Sequence, residues 1–157
     1  MPYEFKTEGE RILFERWPRA DDLRKEFPYM GNSLDGYFAV DPVIDDDNVP
    51  CFNVYEQGRV VSRTLVQSQD PKAKNPTVGV ILPGSYAFPT GNNTETLTVL
   101  QGELEASVTF DSHGPVSELQ RDGTIIAPAG TTLGLKIKED RMPVFYICRY
   151  QPKGEGR

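Results

Sequence analysis

Histidine occurs once in the 157 residues and cysteine only twice. That scarcity removes most of the donors from which zinc, iron or copper centres are built, because first-row metals are held by groups of imidazole, thiolate and carboxylate ligands. The single histidine, His113, lies in Asp111-Ser112-His113-Gly114-Pro115, whose composition is that of an exposed turn. Cys51 and Cys148 are far apart, each in an apolar setting, and are expected to be reduced core thiols. The acidic run Asp45-Asp46-Asp47 has no flanking ligands and reads as a solvated loop. Positive charge is also in deficit. Seventeen basic against 23 acidic residues give a net charge of −6, the opposite of a nucleic-acid binder's footprint. No apolar run approaches the roughly 18 residues of a membrane helix, and the charged first fifteen residues lack the apolar core of a secretory signal. A soluble, cytoplasmic protein without nucleic-acid or membrane partners is the expectation.

What is present is punctuation. Fourteen glycines and 13 prolines break the chain into short apolar runs. Helices are plausible only between Glu10 and Phe27, where Ile12, Leu13 and Trp17 share a face before Pro18 and a second turn pairs Leu23 with Phe27. Asp35 to Val40 gives a short strand. After Pro50 the texture becomes strand-like, with runs rich in Val, Ile, Thr, Tyr and Phe. The predicted strands are Val60 to Val66, Thr77 to Leu82, Ser85 to Phe88, Thr96 to Leu100, Glu103 to Phe110, Thr124 to Ala127, Thr132 to Ile137 and Val144 to Tyr150. Eight such strands suit a jelly-roll barrel, so the predicted class is all-β with a short helical N-terminal extension, divided into residues 1–50 and a barrel domain 51–157. In Glu103 to Phe110, Leu104, Ala106, Val108 and Phe110 alternate with polar residues, so one face is wet. In Val144 to Tyr150 both faces are largely apolar, so the strand should be covered on both sides by the barrel interior and by the extension or a second subunit.

Two segments, Gly84 to Gly102 and Gly123 to Gly130, resemble the paired motifs of the cupins. Glu95 and Gly102 keep the spacing from the motif glutamate to its closing glycine. The two histidine places fall near Thr90 and Asn92, and the third falls at Leu133, so all three imidazoles are missing. One carboxylate cannot hold a transition metal, and the expected cupin is metal-free.

A closer resemblance covers about Tyr55 to Tyr150. Val78-Gly79-Val80, Tyr86-x-Phe88, Leu97-Thr98-Val99 with Gly102, and Cys148-Arg149-Tyr150 occur in order with small length changes between them. In this the chain is similar to the cupin-fold pyrimidine/purine nucleoside phosphorylases. The resemblance implies metal-independent phosphorolysis, in which inorganic phosphate displaces a pyrimidine or purine base to give ribose 1-phosphate. Phosphate is then a co-substrate and no cofactor is implied.

Such a site must hold an anion near the anomeric carbon, stabilise oxocarbenium-like charge and enclose the base. Arg149 and Glu95 are the catalytic candidates. A guanidinium on an apolar strand presents a planar fork to phosphate oxygens, while its alternative is a buried ion pair with a carboxylate such as Glu95. Glu95 would orient a ribose hydroxyl, or else sit on the surface at a strand start. Tyr86 and Phe88, two residues apart, form a stacking wall or are ordinary core aromatics. Thr98 and Gln101 offer polar groups near the closing turn, Arg63 is a second phosphate candidate, and Tyr150 completes the substrate-binding set. Three features depart from the family pattern: Thr132, Leu133 and Gly134 stand where family members tend to carry polar and imidazole side chains, and a hairpin insertion around Glu139 to Met142 and the N-terminal extension are unlike the compact members. The competing expectation is therefore a non-catalytic, small-molecule-binding or structural cupin. Small cupins usually pair, and a homodimer is expected.

Overall fold

Thr7 starts the helix. In the computed structural model, which describes residues 5–16, 52–64, 76–109 and 116–152, the Glu10 amide donates to Thr7 Oγ1 at 3.3 Å and the Thr7 hydroxyl donates to Glu10 Oε1 at 2.8 Å. The Thr-x-x-Glu spacing thus satisfies an amide that a first helical turn leaves without an intrahelical partner. Helix α1 spans Glu8–Arg16, with Glu8 and Glu10 in its first turn and Arg16 in its last, signs that suit the helix dipole. Arg11 bonds Glu8 and, at 2.9 Å, Glu15. Both pairs are exposed and contribute little. The helix begins two residues before the predicted Glu10 because the cap, not the apolar pattern, sets its start. The rest of the predicted helical region with Trp17, Leu23 and Phe27, the strand over 35–40, Asp45-Asp46-Asp47, Cys51 and His113 lie outside the described residues.

The chain forms two compact units, Met1–Val80 and Ile81–Arg157. The division runs through strand β3 (Thr77–Ile81), whereas the boundary drawn from composition after residue 50 lies outside the described residues. In the first unit, β1 (Asn53–Tyr55) pairs antiparallel with β2 (Val60–Thr64), matching Val54 to Val61. Asn53 Nδ2 donates to Ser62 Oγ and Thr64 Oγ1, each at 3.1 Å. The connection is one turn of 3-10 helix, Glu56–Gly58, in which Glu56, Gln57 and Gly58 all have positive φ. Helix α1 lies on β2, so closely that a Cβ on Gly9 would stand 2.4 Å from the Gly58 carbonyl oxygen. One turn further along, the Arg63 guanidinium sits 5.1 Å from the Phe14 ring centre and 5.7 Å from that of Phe52. Phe5 packs against both rings at 5.3 and 6.1 Å. Two aromatic rings, backed by Phe5, therefore flank a cation that is only 1% exposed, a setting in which cation–π attraction reaches about 2 kcal/mol.

The second unit is antiparallel β throughout. Its strands are β4 (Gly84–Pro89), β5 (Asn93–Gln101), β6 (Leu104–Thr109), β7 (Val116–Leu119), β8 (Thr124–Ala127), β9 (Thr132–Ile137) and β10 (Val144–Pro152). They form two layers, β4-β9-β6-β7 and β10-β5-β8. All eight predicted strands are present and the all-β class holds. Two more strands, β1 and β7, join them. In β6 the predicted alternation is found, with Leu104 and Ala106 buried and Glu105 and Ser107 on the other face. In β10 the predicted two-sided burial is found from Val144 to Cys148, all five residues being buried.

Candidate functional site

Residues directly opposite one another in an antiparallel ladder share a face, so the registers sort every candidate in the second unit. Across β10, β5 and β8, one face carries Tyr150–Glu95–Ala127 in one row and Cys148–Leu97–Ile125 in the next. The other face carries Arg149–Thr96–Ile126 and Ile147–Thr98–Thr124. Ala127 is fully buried while Ile126 is 60% exposed. The Glu95 face is thus the inner one. In the second layer the inner rows are Phe88–Leu133–Val108 and Tyr86–Leu135–Ala106.

Two loops fix the end of the unit where these rows begin. Thr90 and the turn Pro128-Ala129-Gly130-Thr131 are laced together: the Thr90 hydroxyl donates to Pro128 O at 2.9 Å and accepts from the Thr131 amide at 3.1 Å. The Thr90 amide bonds Thr131 O and the Gly130 amide bonds Gly91 O, each at 2.9 Å. The Ala129 amide donates to Thr94 Oγ1 at 3.3 Å. Gly130 has φ +83°, a conformation that costs any L side chain strain. Thr90, the first of the missing histidine places, is therefore a latch between two loops. Replacing it by valine removes the hydroxyl, but Pro128 O keeps Thr131 Oγ1 at 2.6 Å and Thr131 O keeps the Thr90 amide, so we expect a loss of about 1 kcal/mol, read from a denaturant midpoint.

Just inside this latch, Glu95 and Tyr150 are half-buried on one layer, and Phe88 and Val108 are half-buried on the other, flanking Leu133 at 3% exposure. A carboxylate and a phenol on one wall and an apolar row on the other make a site suited to a ligand with one polar and one apolar side.

The remaining candidates fall elsewhere. Arg149 shares the outer face with Thr96, so a direct ion pair with Glu95 inside the barrel is replaced by an arrangement in which the two occupy opposite faces of one sheet. The Tyr86 ring is buried and its hydroxyl donates to Leu82 O at 2.8 Å and Pro83 O at 3.1 Å, anchoring the start of β4. Thr98 Oγ1 lies 2.9 Å from Thr124 Oγ1 on the exposed outer face. Gln101 is exposed at the far end of β5. Arg63 belongs to the first unit, beside its aromatic rings. Val108 was not among the sequence candidates as a site residue, although the alternation in β6 had put it on the apolar face.

With Glu95 placed on β5, Gly102 just after its end and the Cys148-Arg149-Tyr150 element on β10, their likeness to known proteins becomes decisive. The family model described as pyrimidine/purine nucleoside phosphorylase matches residues 51–150. The chain belongs to this family. Curated proteins of that name from Wolinella succinogenes and Syntrophotalea carbinolica are 34% and 32% identical over 98 residues, which is 62% of this chain and 85% and 86% of theirs. Among solved structures, a protein of unknown function from an Acinetobacter species covers 66% of this chain and 91% of its own at TM-score 0.54 and 20% identity. FeII HppE covers 70% and 63% at TM-score 0.57 and 14% identity. These likenesses show the fold, an all-β cupin jelly roll.

A shallow groove of about 120 Å³ opens on the other side of the second layer, lined by Glu103, Glu105, Glu118, Lys136, Lys138 and Arg141 among others. Its charges are mixed: Glu105 stands opposite Lys136 on one side and Glu118 on the other, and Arg141 pairs with Glu103 at 3.3 Å. An exposed cross-strand lattice of this kind is ordinary sheet surface.

Proposed function

We propose that this family member catalyses metal-independent phosphorolysis of pyrimidine and purine nucleosides. A phosphate oxygen forms a bond to the anomeric carbon, the bond from that carbon to the base nitrogen breaks, and its electron pair leaves with the base, which takes up a proton. The family match over residues 51–150 carries the reading. The inner rows supply roles for it. Glu95 orients a ribose hydroxyl and faces the positive charge that develops on the sugar. Tyr150, beside it in the same row, borders the sugar, and the Phe88 ring stacks on the base. Leu133 and Thr90, at two of the cupin histidine places, are a buried apolar side chain and a committed hydroxyl. Of the groups named here only the Glu95 carboxylate is a metal donor, and one carboxylate does not hold a transition metal.

One observation favours a second function. Among the described residues of the second unit, no lysine or arginine lies on an inner-face row, so nothing on those walls offers phosphate a cation. A cupin that binds a nucleoside or base without turning it over fits that wall. Incubating the protein with uridine or inosine, with and without phosphate, distinguishes the two. We expect free base and ribose 1-phosphate in equimolar amounts, dependent on phosphate and insensitive to a chelator. No base release across several nucleosides rejects catalysis, and a thermal shift without turnover would leave binding alone.

A further inference from the structure

We propose that Val108 is a specificity-determining residue of this site, and that it selects pyrimidines bearing an apolar ring substituent, of which a 5-methyl group is the simplest. The inference rests on the nucleoside reading and names the substrate class of the same site. Its basis is the row Phe88–Leu133–Val108. Leu133 is 3% exposed and closes the centre of the row, while Phe88 and Val108 on either side are half-buried. Ser107 and Thr109, the hydroxyl side chains of β6 in this stretch, take the opposite face by strand alternation. The wall therefore presents no side-chain donor or acceptor. A polar ring edge set against it gives up water without gaining a partner, which is unfavourable, whereas a methyl group loses nothing and buries apolar surface. The polar side of the ligand is drawn the other way, toward Glu95 and Tyr150. The two walls together fix the ligand's orientation, with the substituted ring edge toward β6.

A methyl group enclosed in an apolar pocket changes kcat/KM by about 10-fold or more. Val108 covers only part of it, so about fivefold is expected. The experiment compares 5-methyluridine with uridine, which share one sugar, in the wild type, Val108→Thr and Val108→Ala. The wild type should favour 5-methyluridine by about fivefold in kcat/KM, and both variants should bring the ratio close to one. A wild-type ratio of one or less, or a ratio that the variants leave unchanged, overturns the proposal. If neither nucleoside is turned over, phosphorolysis itself has failed, and the proposal is then read from binding. Thymine should raise the melting temperature of the wild type more than uracil does, and Val108→Thr should abolish the difference. Equal shifts, or none, overturn it there too.

Discussion

Replacing Gly9 by alanine should destabilise the protein by about 2 kcal/mol, against the usual helix preference that makes alanine the better residue by about 1 kcal/mol. The reason is the approach of α1 to β2. An added Cβ would stand 2.4 Å from the Gly58 carbonyl oxygen and 2.8 Å from Val61 Cγ2. The first of these is backbone, held in a turn with three successive positive-φ residues, and it cannot swing aside as a flexible side chain can. The helix would have to lift from β2, loosening Leu13, which is 1% exposed, and drawing Phe14 away from Arg63. Gly91→Ala is the control. Its φ is +64°, but nothing lies within 4 Å of the added atom, so it should cost only the backbone strain, about 1 kcal/mol. Chemical denaturation of the two variants measures the difference. A Gly9→Ala protein as stable as the wild type would mean that α1 does not sit this close to β2.

The sequence yielded the strands whose two faces differ, because alternation records a wet side and a dry side. Leu104, Ala106 and Val108 are legible for that reason. Val116-Ser117-Glu118-Leu119 is not, since three of its four residues are exposed and nothing but pairing with β6 makes it a strand. The start of α1 is written in the capping-box spacing of Thr7 and Glu10, which lies ahead of the apolar pattern of Ile12 and Leu13. Thr90 looked like a lost ligand, and its work as a latch depends on a turn 38 residues away. The site suffered most from what a single strand cannot tell. Alternation along β10 separates Arg149 from Tyr150, yet which of them shares a face with Glu95 depends on the register between β10 and β5, and a slip of one residue would exchange them.

That register gives the second large expectation, which concerns Glu95 and Arg149 together. If phosphorolysis occurs at the inner rows, Glu95→Gln keeps the shape of the side chain but removes the charge facing the developing cation. Losing one preorganised electrostatic contact of this kind lowers kcat by about 10²–10³-fold. Arg149→Met acts from the opposite face of the sheet, and the attacking phosphate must lie beside the sugar at the inner rows, so its effect on the KM for nucleoside and for phosphate alike should be less than about twofold. The double variant decides between one site and two. Residues that share no ligand contribute additively to within about 0.5 kcal/mol, whereas residues acting on one bound group are coupled by more. The expected coupling in kcat/KM is therefore below about 0.5 kcal/mol. Coupling well above that would mean that one ligand touches both side chains, which the separation of Tyr150–Glu95 from Arg149–Thr96 does not permit. The register of β5 with β10 would then have to differ in solution.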